Sequence, residues 1–160
     1  MMNYIKGIFL ISRPINFLLT FAVIFIACLI CAINGLNYFT VTLASLSGAI
    51  IASAGNIIND YYDFEIDKIN RPKRVLPQKL LSKSFALILF FVFCAISIFI
   101  TALLNLYATI IAVVTILLLF LYSLYFKRVI LIGNIIVALC TGLAFIYGGV
   151  VVDNWTYALI

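Results

Sequence analysis

The sequence predicts an all-α, multi-pass transmembrane helical bundle, and three observations carry that prediction. Of the 160 residues, 67% are hydrophobic and only 9% are charged, where soluble domains carry about 25% charge. The mean hydropathy of +1.31 is more than a soluble core of this size can hide, so lipid is the solvent for most of the chain. Apolar runs recur at the length a bilayer helix needs, about 20 residues. All ten basic residues fall on one side of the membrane once the runs are numbered and the sides alternated.

The first span, roughly 15–33, follows Lys6 and Arg13, a layout shared with secretory signal peptides. Its run is long and lacks a small-x-small exit, and later spans continue the same pattern. It is therefore read as a retained helix. The second, roughly 38–58, runs directly into an acidic stretch that opens at Asn59. The third and fourth cover about 84–104 and 106–126. Within the fourth, "TIIAVVTILLLFLYSLYF" (109–126) does not alternate polar with apolar residues, as strands of a membrane barrel must. The fifth runs over about 130–152. A sixth opens at Trp155, with Trp155 and Tyr157 at the interface that such residues favour, and stops at Ile160. A single membrane domain over 1–160 is expected, the N-terminal part of a longer protein or a truncated product.

The charges set the orientation. Lys6, Arg13, Lys68, Arg71, Lys73, Arg74, Lys79, Lys83, Lys127 and Arg128 all lie on the side shared by the N-terminus, the 59–83 loop and the 127–129 turn. The opposite connections, near 34–37, 104–106 and 152–155, carry only Asp153. Basic residues favour the cytoplasmic side, so the chain is expected in the cell membrane with its N-terminus and acidic loop cytoplasmic. The net charge of +5 suits an anionic leaflet or substrate and does not suggest nucleic acid. The four cysteines, Cys28, Cys31, Cys94 and Cys140, lie within spans, and the chain has no histidine. A zinc site is not expected. Catalytic triads that need histidine are excluded.

The informative stretch is "NIINDYYDFEIDKINRPKRVLP" (56–77). Four acids, Asp60, Asp63, Glu65 and Asp67, crowd into it. On a helix Asn59, Asp63 and Asp67 fall at i, i+4 and i+8, on one face and one turn apart, with Asn56 and Asp60 bordering. Carboxylates so close repel one another and call for a cation. Magnesium suits them, because it takes carboxylate oxygens, keeps waters and is shared with substrate phosphates. A calcium EF-hand does not fit: the D-x-D-x-[DN]-G spacing is missing. Lys68, Arg71, Lys73 and Arg74 follow at once. Acids that hold metal beside a basic run describe a site for a polyphosphate. The bland alternative is a solvated loop whose basic run only sets topology. A solvated loop does not require acids in register on one face.

At these residues the chain resembles a known family. "NDYYDFEID" fits the N-D-x-x-D-x-x-x-D signature of the UbiA superfamily of intramembrane prenyltransferases, and "DKINRP" resembles the branch whose acceptor is geranylgeranylglyceryl phosphate. "SRPINFLL", "LYSLYFKR" (121–128) and "IGNIIVALCTGLAFIYGG" (132–149) agree. The resemblance implies a bundle of about nine transmembrane helices around a central cavity, of which five are present. It implies transfer of a prenyl group, here geranylgeranyl, from its diphosphate to a lipid-like acceptor, with magnesium as cofactor. The implied metal residues are Asn59, Asp60, Asp63 and Asp67, with Asp63, Asp67 and Tyr122 in the catalytic set. Arg13, Asn16, Arg71, Ser123 and Lys127 are implied substrate-binding residues. Two departures stand out. Val75 takes the place of a proline in "RPKRVLP", which is expected to loosen the loop. The family's second aspartate motif is missing, since Asp153 is the only acid after Asp67.

For such chemistry the apolar walls, including Phe17, Phe21, Phe120 and Tyr122, are expected to line a tunnel for the isoprenoid tail. Tyr122 is expected to face an allylic cation. Three other readings compete. An aromatic acceptor would place the chain in quinone synthesis. A transporter or ion channel would also carry membrane acids, but along its spans rather than at one mouth. A non-enzymatic half-protein could assemble with another membrane chain.

Overall fold

The computed structural model describes residues 2–32, 35 and 37–154. The chain forms seven α-helices: α1 (Met2–Ile11), α2 (Pro14–Cys31), α3 (Tyr38–Tyr62), α4 (Phe64–Asn70), α5 (Lys83–Ala102), α6 (Leu106–Leu124) and α7 (Ile130–Val151). Five of them, α2, α3, α5, α6 and α7, are long and apolar enough to cross a bilayer. This is a multi-pass membrane bundle. The sixth span expected from Trp155 lies outside the described residues.

α3 is the central helix. It packs against α2, α5, α6 and α7, and 56% of its apolar window is buried, against 33% or less for every other span. Its sequence explains this. Ala44, Ser45, Ser47, Gly48, Ala49, Ser53 and Ala54 are buried along it, and small residues let helix backbones approach closely where lipid gives no hydrophobic drive between helices. At Gly48 an added Cβ would collide with the Ile24 side chain of α2, and at Gly55 it would meet Leu119 Cδ1 of α6 at 2.9 Å. α7 docks on α2 in the same manner. A Cβ on Gly148 would lie 2.7 Å from Ala27 Cβ.

Polar side chains inside the bundle have partners. Ser47 Oγ and Tyr147 Oη lie 2.6 Å apart, Asn105 Nδ2 donates to the Val150 carbonyl at 3.2 Å, and Asn154 Nδ2 donates to the Cys31 carbonyl at 2.8 Å. Such bonds in membranes contribute on average about 0.6 kcal/mol each. They fix register at the end of the bundle away from Arg13. The α3, α5 and α6 helices carry side-chain N-caps, Asn37, Ser82 and Asn105, that accept from first-turn N–H groups and relieve donors that the helix itself leaves open.

α2, α5 and α7 start, and α3 and α6 end, at one end of the bundle. The short helices α1 and α4 and the 71–82 segment also gather there. α1 is too short to span. It is held by Ile11, which is buried, and by Gly7, where an added Cβ would meet Leu81 Cγ at 2.8 Å. The 71–82 segment is not loose. Val75, Leu76 and Leu81 are buried in the cluster formed by Ile57, Ile58 and Phe90, and Leu80 N–H donates to the Val75 carbonyl at 3.1 Å. Val75, expected to loosen the loop in place of a proline, is itself part of the buried cluster. Its β-branched side chain anchors the segment by apolar burial, where a proline would act through backbone restriction.

Candidate functional site

The acidic stretch straddles the end of α3. The helix breaks at Asp63, with φ −85° and ψ 0°. Hydrogen bonds of helical spacing nonetheless continue through the break: Asp63 N–H donates to Asn59 O at 2.9 Å, and Asp67 N–H to Asp63 O at 2.8 Å. The i, i+4, i+8 register therefore survives a change of helix. Asn59, Asp63, Asp67 and Asn70 all line one hollow of about 450 Å³ at the mouth of the bundle, which Arg71 and Lys127 also line.

Each of the three aspartates is matched by a cation. Lys127 Nζ donates to Asp63 Oδ1 at 2.6 Å. Arg74 bridges two acids, reaching Asp67 Oδ2 at 2.6 Å and Asp60 Oδ1 at 3.0 Å. Arg13 also donates to Asp60 Oδ1, at 2.6 Å. Asp60 and Asp67 are each only 5% exposed, and buried carboxylates need such partners. Glu65 stands apart, in an exposed pair with Lys68.

Arg13 holds its position at a backbone cost. It caps α2 in the left-handed region, φ 51° and ψ 77°, which a non-glycine residue rarely adopts. The following Pro14 starts α2 and disfavours the right-handed alternative at Arg13. The conformation is held by the pair with Asp60 and by Ser53 Oγ, which donates to the Ser12 carbonyl at 3.0 Å.

Below the mouth lies a second cavity of about 550 Å³ between α2, α3, α6 and α7. Its walls are mostly apolar, with Asn16, Asn56 and Ser123 among the polar exceptions. Ser123 Oγ donates to the Leu119 carbonyl at 2.8 Å. Arg13, Asn59 and Tyr122 line both hollows. The charged mouth and the membrane cavity therefore adjoin, with these three side chains at their shared border.

The structure brings Arg13, Asn59, Asp63, Asp67, Arg71, Tyr122 and Lys127 together at the mouth, with Asn16 and Ser123 in the cavity below. Asp60 does not line either hollow. It points into the ion pairs with Arg13 and Arg74. Of the four aromatic residues expected along a tunnel, Tyr122 lines the cavity, while Phe17, Phe21 and Phe120 line neither hollow: Phe120 packs on Tyr62 and Phe90 and Phe21 stacks on Phe25. The bridging role of Arg74 is not visible in the sequence, where it is one member of a basic run. Its spacing of seven from Asp67 is the only hint.

The donors at the mouth suit a hard divalent cation. Among the described residues no three of Cys, Asp or Glu converge as a cage. Magnesium does not need one, since it commonly takes one or two carboxylates and completes its shell with water and phosphate oxygens. Lys127 engages Asp63 Oδ1 and Arg74 engages Asp67 Oδ2, so the other carboxylate oxygens of the two aspartates, beside the amides of Asn59 and Asn70, are the donors a metal would take.

Fold and site together define a helical membrane protein with a charged mouth over an apolar intramembrane cavity. The UbiA prenyltransferase family model matches residues 18–160, and the chain belongs to that family. It is 37% identical over 145 residues to a digeranylgeranylglyceryl phosphate synthase of Methanosphaera stadtmanae, covering 90% of this chain and 52% of the relative. Identity to the enzyme of that name from Thermococcus sibiricus is 40% over 155 residues, again 90% and 52%. A solved structure, from work on the biosynthesis of digeranylgeranylglyceryl phosphate synthase in membranes, superposes with a TM-score of 0.94 at 30% identity. The match covers 99% of this chain and 57% of that one. The chain spans about half the length of the curated relatives it matches.

Proposed function

We propose that the complete gene product is a magnesium-dependent intramembrane prenyltransferase. It moves a geranylgeranyl group from its diphosphate to geranylgeranylglyceryl phosphate, forming an ether lipid. The observation that carries this reading is the charged mouth set directly against the apolar cavity, with Arg13, Asn59 and Tyr122 lining both. A prenyl diphosphate has the same two halves. The names of the relatives favour the glyceryl phosphate acceptor over an aromatic one.

In this reading Asn59, Asp63 and Asp67 would hold the metal, and Asp60 stays paired with Arg13 and Arg74. A magnesium ion bound there would supply positive charge to the diphosphate. Arg13, Arg71 and Lys127 face the same phosphates and stabilise the charge that develops as the bond between the prenyl C1 and the phosphate oxygen breaks. The electron pair leaves with the diphosphate. Tyr122, at the joint of the two hollows, offers its ring face to the allylic cation. Asn16 and Ser123 give polar contacts just inside the cavity, whose apolar walls exclude the water that would quench the cation. The acceptor hydroxyl oxygen bonds to C1, and its proton passes to a carboxylate or to the departing diphosphate.

The basic residues clustered at the mouth end favour a cytoplasmic N-terminus in the cell membrane. The test is a donor-by-acceptor assay with the complete gene product in lipid and magnesium. Ether product from geranylgeranyl diphosphate and geranylgeranylglyceryl phosphate is expected. Product with aromatic acceptors alone, or no transfer from any allylic diphosphate, would overturn the reading.

A further inference from the structure

We propose that Ile24, Gly48 and Tyr147 form a floor that sets the greatest length of apolar tail the cavity accepts. The inference rests on the proposed use of the cavity for an isoprenoid tail.

The cavity is a ladder of four helices. From the joint with the mouth, the lining runs from Arg13 to Ile24 on α2 and from Asn59 to Gly48 on α3. Each climb is eleven positions, about 16 Å at 1.5 Å per residue. On α7 it runs from Val137 to Tyr147, ten positions and about 15 Å by the same rise. The α7 run starts below the joint, so the common depth rests on contacts: Gly48 meets the Ile24 side chain, and Ser47 beside it bonds Tyr147 Oη. Below that depth the bundle is closed. Ile24 and Tyr147 belong to a buried cluster with Cys28, Val41, Ala44 and Ala108.

The floor is built to stay in place. Tyr147 is fixed by its hydrogen bond to Ser47. Gly48 leaves the space into which the end of the Ile24 side chain projects, since a Cβ there would strike Ile24 Cδ1. Interiors packed in this way resist small volume changes. A tail that reaches the floor therefore meets a stop rather than a yielding surface.

Two variants move the stop in opposite directions. Ile24→Ala removes apolar volume at the floor. Ala52→Phe adds volume one turn nearer the mouth, at a half-buried wall residue that borders open cavity. One methylene in a hydrophobic pocket discriminates by about 10–200-fold. A change of one isoprene unit is therefore expected to shift preference by at least about tenfold.

The experiment uses the complete gene product in detergent with magnesium and a series of prenyl diphosphates differing by one isoprene unit. Affinity is measured with non-hydrolysable thiolo-diphosphates of the same tails, and transfer is scored separately. Ile24→Ala should gain at least about tenfold for the donor one unit too long for the wild type, and Ala52→Phe should lose as much for the longest wild-type donor. A length profile that moves in binding without any transfer would sink the enzyme reading and leave the floor standing. Transfer or binding whose length profile moves with neither variant would overturn the floor. If Ala52→Phe fails to fold, an unmoved profile in Ile24→Ala is sufficient to overturn it.

Discussion

The bridge made by Arg74 gives the most quantitative prediction. Arg74→Gln removes two charge-assisted hydrogen bonds, to Asp67 at 2.6 Å and to Asp60 at 3.0 Å. Bonds to charged groups contribute about 1.5–3 kcal/mol each, so the gross loss is about 3–6 kcal/mol by that measure. Two features reduce it. Asp60 keeps Arg13 at 2.6 Å, and the Arg74 side chain is 19% exposed, so water can reach it. A net loss of about 2–3 kcal/mol is expected, at the low end for breaking a buried pair. The loss should be local, because Val75, Leu76 and Leu81 still anchor the segment. Limited proteolysis within 71–82 should therefore rise before the bundle unfolds. The clean assay is a double-mutant cycle of Arg74→Gln with Asp67→Asn, by unfolding in detergent with chelator present. A coupling of about 1.5–3 kcal/mol is expected. Coupling near zero, with unchanged proteolysis, would refute the bridge. Both bonds come from one guanidinium nitrogen, Nη1, and an ammonium can likewise donate to two carboxylates, so Arg74→Lys should recover part of the loss where Gln does not.

Gly148→Ala should destabilise the bundle by about 1–3 kcal/mol, since its Cβ would crowd Ala27 Cβ and the Cys28 backbone nitrogen; Gly142→Ala, with nothing within 4 Å, should be neutral or stabilising by up to about 1 kcal/mol. Thermal unfolding of the two in one detergent checks the contrast, and equal effects would show that α7 does not dock on α2 as described. An engineered Lys73→Cys should resist an impermeant thiol reagent added to intact cells while Leu103→Cys reacts, both sites being exposed at opposite ends of the bundle; the reverse pattern would invert the orientation. Ser47→Ala should cost about 0.6 kcal/mol through the lost bond to Tyr147, and a double-mutant cycle with Tyr147→Phe should recover that coupling.

The spans were legible because lipid imposes a simple rule. Apolar runs of bilayer length become helices, and the five observed ones begin and end within a few residues of the runs. α3 departs most. It continues through Asn59 and Asp60 to Tyr62, because helical hydrogen bonding persists past the last apolar residue. The N-terminal helix α1 was not expected. Ten residues are too few for a span, and its burial depends on Leu81, far along the chain. The acidic register was legible as well, since a fixed spacing on a helix is a local property. What Asp60 touches was not. Its partners Arg13 and Arg74 stand 47 and 14 positions away, and only the fold of the 71–82 segment brings Arg74 back over α3. The part played by Val75 was hidden for the same reason, because burial in a loop is decided by what the loop packs against.

The proposed role of Asp63 and Asp67 is to serve a metal-assisted departure of diphosphate at the mouth of the apolar cavity. Single-turnover release of diphosphate from geranylgeranyl diphosphate, by the complete gene product and its Asp63→Asn variant across a magnesium titration, tests it directly. The account predicts release by the wild type that vanishes with chelator and returns with magnesium. It predicts at least about a hundredfold slower release in Asp63→Asn, on the scale of losing one charge-stabilising group, in a variant that remains folded. Wild-type release that is indifferent to chelation, or an Asp63→Asn variant that releases diphosphate at the wild-type rate, would contradict it.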